Sequence, residues 1–163
     1  MQMLLISVPP NSVESLLISA EHVDDVLHAQ GIQARLILDE VRYALAHIFQ
    51  NHATLNAAIN PEHILSTHGM EGGKVSYNTA VQVAQIYESL NAMEDTDIKA
   101  LYQPRSMHQA QLPLMDWGID PEQDLRRLKV AFNQLQSFYF DAAEHNLAVI
   151  RVVGERLFAT EVL

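Results

Sequence analysis

Two nearly unbroken apolar, β-prone runs, Met3–Val8 and Leu147–Val153, stand near opposite ends of the chain. A strand with one face in water alternates apolar and polar residues, whereas a continuously apolar strand has both faces covered. The two runs are therefore expected to lie centrally in a sheet and to pair with each other. Most of what separates them has helical spacing. The fold class that follows is α+β: a helix-rich single domain, residues 1–163, packed around a small sheet that includes the N-terminal and C-terminal strands, with 155–163 as a C-terminal extension.

The first helix is expected after Pro9 and Pro10, with Asn11 and Glu14 as its capping pair. Val13, Leu16, Leu17, Ala20, Val23 and Leu27 keep helical spacing toward Gly31, with a break near Ser19. Leu38, Val41, Leu45, Ile48 and Phe49 mark a second helix starting near Asp39. Asn51–Ser66 is harder to read and offers a helical turn at Pro61. His68–Lys74 holds three of the six glycines and reads as a flexible loop. A helix begins near Asn78 or Thr79. Another is capped by Thr96, runs through Tyr102 and stops at Pro104. Asp120 as N-cap, Pro121 at the first helical position and Gln123 closing the box announce a long helix. Leu125, Leu128, Phe132, Leu135, Tyr139 and Ala142 form its apolar seam, ending near His145.

Composition closes off several function classes. The chain has no cysteine, which removes thiol catalysis, disulfides and thiolate metal sites and fits a reducing compartment. Twenty acids against ten bases give a net charge of −10, a surface that repels nucleic acid and anionic membranes and suits a basic protein partner. The first ten residues carry no Lys or Arg and no later run is long enough to span a bilayer, so a soluble, cytoplasmic protein is expected.

No catalytic pattern emerges. His47 and His52, like His63 and His68, are five apart, which puts each pair on different faces of a helix, and no acid sits at ligand spacing beside them. The glycine-rich stretch ending at Lys74 lacks the phosphate-loop pattern, since Val75 follows the lysine. No serine sits in a nucleophile elbow. Metal, cofactor and catalytic residues are all expected to be absent. Two acidic clusters remain: Glu94, Asp95 and Asp97, with Glu88 nearby, and Asp116, Asp120, Glu122 and Asp124 around Trp117. Acids at helix N-termini account for Asp97, Asp120, Glu122 and Asp124 through the helix dipole. Trp117, the single tryptophan, reads either as a core plug, the better fit, or as an interface anchor.

The order of these segments resembles the YfbM-like family, a bacterial domain of unknown function. Met1 and Met3 with the following helix at Val13–Leu16 resemble its opening. Leu38–Leu45 is similar to its LDKAWHAL helix, with Glu40, Arg42 and Tyr43 in place of Lys, Trp and His. Val75–Val83 resembles the start of its next helix. Leu101–Pro104 with Met107, then Leu112, Pro113 and Trp117, resembles its F-D-P-x-x-M…Y-P…W segment, with Leu112 for Tyr. Phe138, Tyr139, Ala142 and Ala143 before Leu147–Val153 match its closing helix and strand. The resemblance implies an α+β fold and no established enzyme activity.

By analogy with small acidic relatives of such families, the expected function is a non-catalytic cytoplasmic immunity protein that occludes a cognate antibacterial toxin domain with a basic cleft. The expected contacts are Asp116, Trp117, Asp120, Glu122 and Asp124, then Glu94, Asp95 and Asp97, then the loop at Glu71. The alternatives are a small-molecule-binding or enzymatic domain with a site between helices and sheet, and a structural adaptor.

Overall fold

A computed structural model describes residues 1–65, 70–155 and 157. Five antiparallel strands, β1 (Gln2–Val8), β2 (Ala34–Ile37), β3 (His63–Ile64), β4 (Gly73–Asn78) and β5 (Ala148–Gly154), form one sheet in the order β2-β1-β5-β4-β3. The terminal strands pair along their whole length, from Gln2 opposite Gly154 to Val8 opposite Ala148, and β5 is the middle strand.

Helices cover both faces, which is why β1 and β5 carry apolar residues without alternation. Leu4, Ile6, Val8, Ile150 and Val152 meet Val13 and Leu16 of α1 (Pro10–Ser19) and Val23 and Val26 of α2 (Val23–Leu27). Met3, Leu5, Val149 and Val153 face the larger core beneath α3 (Val41–Phe49), α4 (Ala53–Ala57), α5 (Ala80–Asn91), α6 (Asp95–Leu101), α7 (Pro104–Gln109) and α8 (Pro121–Glu144). Tyr139, in the C-terminal part of α8, is fully buried and donates its hydroxyl to the Ala58 carbonyl at 2.8 Å. Asn78 donates to the Ala57 carbonyl at 2.8 Å and to that hydroxyl at 3.4 Å. These bonds tie α8, β4 and the end of α4 together inside the core. Burial pushes the Tyr139 phenol pKa up, against the opposing hydrogen bond from Asn78.

Several boundaries differ from the sequence reading for identifiable reasons. Pro9, not Asn11, is the N-cap of α1: Pro10 lacks an amide hydrogen and suits the first turn, so Asn11 falls inside the helix. The break near Ser19 is real, and a new helix starts after His22. The turn at Asp39 precedes α3, which begins at Val41. Pro61 opens no helical turn; the chain instead runs into β3. Glu94, not Thr96, is the N-cap of α6, because Asp97 accepts the Glu94 backbone N–H at 2.8 Å. Pro104 ends one helix and starts the next at its own first turn. Of the expected flexible loop, Gly73 and Lys74 belong to β4, Glu71 is bridged to His22 and Met70 to Gly73, and Gly72 makes the turn between them; His68 and Gly69 lie outside the described residues.

Helix α2 has only five residues and is held by its cap. His22 Nδ1 accepts the Asp24 N–H at 3.0 Å, while the Asp25 carboxylate accepts the N–H groups of His22 at 2.9 Å and Glu21 at 3.0 Å. The two backbone bonds hold the Asp25 pKa below its usual 3.8. A depressed native pKa stabilises the fold above the unfolded value and loses that contribution as pH falls through the native one. Asp25→Ala should therefore lower Tm at neutral pH, and the gap to the parent should narrow in melts below about pH 3.8. An undiminished gap in acid would show that the carboxylate charge is not what holds α2.

Candidate functional site

The residues expected to bind a partner fall largely on the loop from Ala110 to Asp120, between α7 and α8, which has a cleft beside it. Trp117 is 2 % exposed and packs in the larger core, so the plug reading of this residue holds. Gly118 follows in the left-handed region at φ 88°, and a Cβ there would collide with the Pro104 carbonyl, so the chain folds back closely on α7. Asp124 is 3 % exposed; it accepts the Tyr102 hydroxyl at 2.6 Å and the Gly118 N–H at 2.8 Å. Burial, then the Asp124 bond and charge, push the Tyr102 phenol pKa up. One carboxylate thus joins α6, the loop and α8 beneath the surface.

Above this anchor the loop presents apolar side chains to water. Leu114 is 72 % exposed, with φ at 73°, a conformation that costs a bulky residue energy. Ile119 is exposed as well, and so are Val130 on α8 and Ile37 on the edge strand β2. Ile37 and Val130 line a cleft of about 360 Å³ together with Met115, Trp117, Asp39 and Arg127. The indole N–H of Trp117 is buried and has no acceptor among the described residues. Asp116, Asp120 and Glu122 are exposed around the loop, with Asp120 capping α8 by accepting the Gln123 N–H at 3.3 Å and Glu122 paired to Arg126 at 3.1 Å.

The expected contact residues therefore divide. Asp116, Asp120 and Glu122 share one exposed rim. Trp117 and Asp124 are corrected: both are buried, one as core packing and the other as a hydrogen-bond acceptor, and neither is free to touch a partner. Glu94, Asp95 and Asp97 are exposed at the start of α6, where Asp95 lies 3.9 Å from Lys129 of α8. Since Tyr102, at the other end of α6, meets Asp124, the two helices run antiparallel. The two acidic clusters are then separated by about the length of α6, roughly 10 Å for its seven residues. Glu71 stands apart. Its carbonyl accepts the Val23 N–H at 2.9 Å and its N–H donates to Glu21, which places it with α2 on the opposite side of the sheet from α8.

Sequence reasoning missed Leu114, Ile119, Ile37 and Val130. Val130 lies off the apolar seam of α8, which was a readable signal; an apolar residue in an irregular loop, as at Leu114, is not. Three of the histidines make local contacts: His22 caps α2, His47 Nε2 is 3.0 Å from Ser106 Oγ, and His63 stacks on Tyr77. Among the described residues no three His, Asp or Glu side chains converge as metal ligands would. Nor is any helix there long and apolar enough to cross a membrane.

An antiparallel sheet joined at its centre by the chain's terminal strands, with two helices on one face and six on the other, defines a single α+β domain. The model of the domain of unknown function DUF1877 matches residues 1–152, and the chain belongs to that family. Its structure is similar to the crystal structure of a protein of unknown function, YfbM, from Escherichia coli. That match has a TM-score of 0.72 and 15% identity over 93% of this chain and 99% of the other. The family expectation from the sequence is thus met, and at this identity the likeness concerns the fold. No curated protein matches the chain.

Proposed function

We propose that this chain is a non-catalytic immunity protein that binds and occludes a cognate antibacterial toxin domain through the Ala110–Asp120 loop and its surroundings. The observation that carries this reading is the pairing of exposed apolar residues, Leu114, Ile119, Val130 and Ile37, with an acidic rim at Asp116, Asp120 and Glu122. An apolar centre inside a charged rim is the anatomy of a protein interface. Its anchor below the surface, from Asp124 to Tyr102 and Gly118, lets the loop meet a partner without ordering first. A net charge of −10 selects a partner with a basic cleft and speeds its capture.

The test begins with capture of partners from the source bacterium, followed by co-expression of each with this chain. The expected result is a toxin whose killing is suppressed and which binds stoichiometrically. Asp116→Lys, Asp120→Lys and Glu122→Lys together should weaken that complex by on the order of tenfold or more and flatten its salt dependence. Unchanged affinity and salt slope would place the interface elsewhere, and no toxin suppressed by this chain would overturn the immunity reading.

A second reading, a small-molecule-binding domain, has one specific observation in its favour. The cleft of about 360 Å³ is concave and lined mainly by apolar side chains, Ile37, Val130, Met115 and Trp117 among them, with Asp39 and Arg127 as polar groups, which is the make-up of a small-molecule site. Saturable quenching of Trp117 fluorescence by a metabolite would support that reading over the first.

A further inference from the structure

The basic residues of this acidic chain are not evenly spread. Ser76 of β4 lies directly across from Arg151 of β5, and Lys74, two residues before Ser76, points to the same face of the sheet. Lys74, Ser76 and Arg151 line one cavity of about 260 Å³, walled by Pro61, Ile64 and Met70. Arg151 is half-buried, and its Nε is 3.3 Å from the Met3 sulfur, a weak acceptor. Behind it, Arg42 is 6 % exposed and donates to the Met1 carbonyl at 2.8 Å, the Tyr43 hydroxyl at 2.9 Å and the Leu38 carbonyl at 3.5 Å, all neutral oxygens. Among the described residues neither arginine has a carboxylate in ion-pair contact.

That arrangement is unusual physically. Acids outnumber bases two to one in this chain, yet Lys74 and Arg151 line one cavity, and Arg42 is close enough to Arg151 for its charge to be felt there. Cations withdrawn from water are normally paired, because the lost hydration is otherwise uncompensated. Burial and then the charge of Arg42 push the Arg151 guanidinium pKa below its usual range, partly offset by Tyr43. Like charges left together beside a cavity are relieved by an anion entering it. The donors present, a guanidinium fork, an ammonium and a hydroxyl, match the oxygens of phosphate or carboxylate.

We propose that Lys74, Ser76 and Arg151, backed by Arg42, form a binding site for a small oxyanion carrying at least two negative charges, on the β4 side of the central strand β5, whereas the cleft beside the loop lies on the β2 side. The site is independent of the immunity reading. It tests directly on the purified chain by thermal melts and calorimetric titration with pyrophosphate and with malonate, at ionic strength held constant with sodium chloride. The expected result is a saturable rise in Tm with one of the two anions, pyrophosphate marking a phosphate-bearing ligand and malonate a dicarboxylate. Arg151→Met should weaken binding by about tenfold to a hundredfold, as loss of charge-assisted hydrogen bonds requires. Lys74→Gln, at an exposed position that leaves the core untouched, should weaken it by about two- to fivefold. No saturable response to either anion beyond that of chloride would overturn the proposal. So would a response that Lys74→Gln and Arg151→Met leave unchanged.

Discussion

Trp117→Ala is expected to lower stability by about 3–5 kcal/mol, the range for removing a large aromatic side chain from a packed interior. The indole is 2 % exposed and belongs to the same core as Tyr102, Met107 and Leu128, which come from α6, α7 and α8. Those helices meet around it, so the void has walls on several elements and cannot close by one small shift. Trp117→Phe should cost far less. It keeps most of the packed surface and removes an N–H that has no acceptor among the described residues, so its desolvation is no longer left uncompensated. Urea unfolding followed by circular dichroism checks both, since the chain has no second tryptophan to report by fluorescence. A loss below about 1 kcal/mol for the alanine variant would mean that the loop rests on the helices without being wedged between them.

The sequence disclosed the fold where burial was two-sided and hid it where burial was partial. Met3–Val8 and Leu147–Val153 are legible because both faces of β1 and β5 meet helices, leaving no polar residue to interrupt the run except Ser7 and Arg151. β2 and β4 escaped notice for the opposite reason. Ala34 and Leu36 are only half-buried beside the exposed Arg35 and Ile37, and in β4 Val75 stands between Lys74 and Ser76. Those residues form strands because β1 and β5 offer them backbone partners, a non-local cause that no local pattern carries. Asp124 illustrates the same limit at the candidate site. As the fourth residue after an N-cap it reads as one more dipole acid, and only the return of Tyr102 and Gly118 reveals it as a buried acceptor. Arg151 looks in sequence like a solvated break in an apolar strand, and only the fold shows it half-buried near Arg42 with no carboxylate in ion-pair contact among the described residues.

Asp124→Ala should destabilise the protein by about 3 kcal/mol, because it strips the acceptor from two donors at once. The Tyr102 hydroxyl at 2.6 Å and the Gly118 N–H at 2.8 Å would be left facing a site that water does not readily fill. Tyr102→Phe alone removes one donor together with its need for a partner, and should cost about 1–2 kcal/mol. In the double variant the two losses cannot both be counted, so the pair should couple by about 1–2 kcal/mol in a double-mutant cycle. Additive losses would show that the short contact contributes little and that Asp124 acts through Gly118 alone. The consequence for binding is separable from stability. Gly118 lies two residues from both Asp116 and Asp120, so releasing its N–H frees the rim of the proposed interface while leaving its exposed side chains unchanged. At a temperature where the Asp124→Ala variant is still folded, toxin binding should fall mainly through slower association, since the partner must then meet a loop that has yet to order. Tyr102→Phe keeps the Gly118 bond and should bind at the parental rate. Equal association rates for all three proteins would mean that the Asp124 anchor serves folding and not recognition.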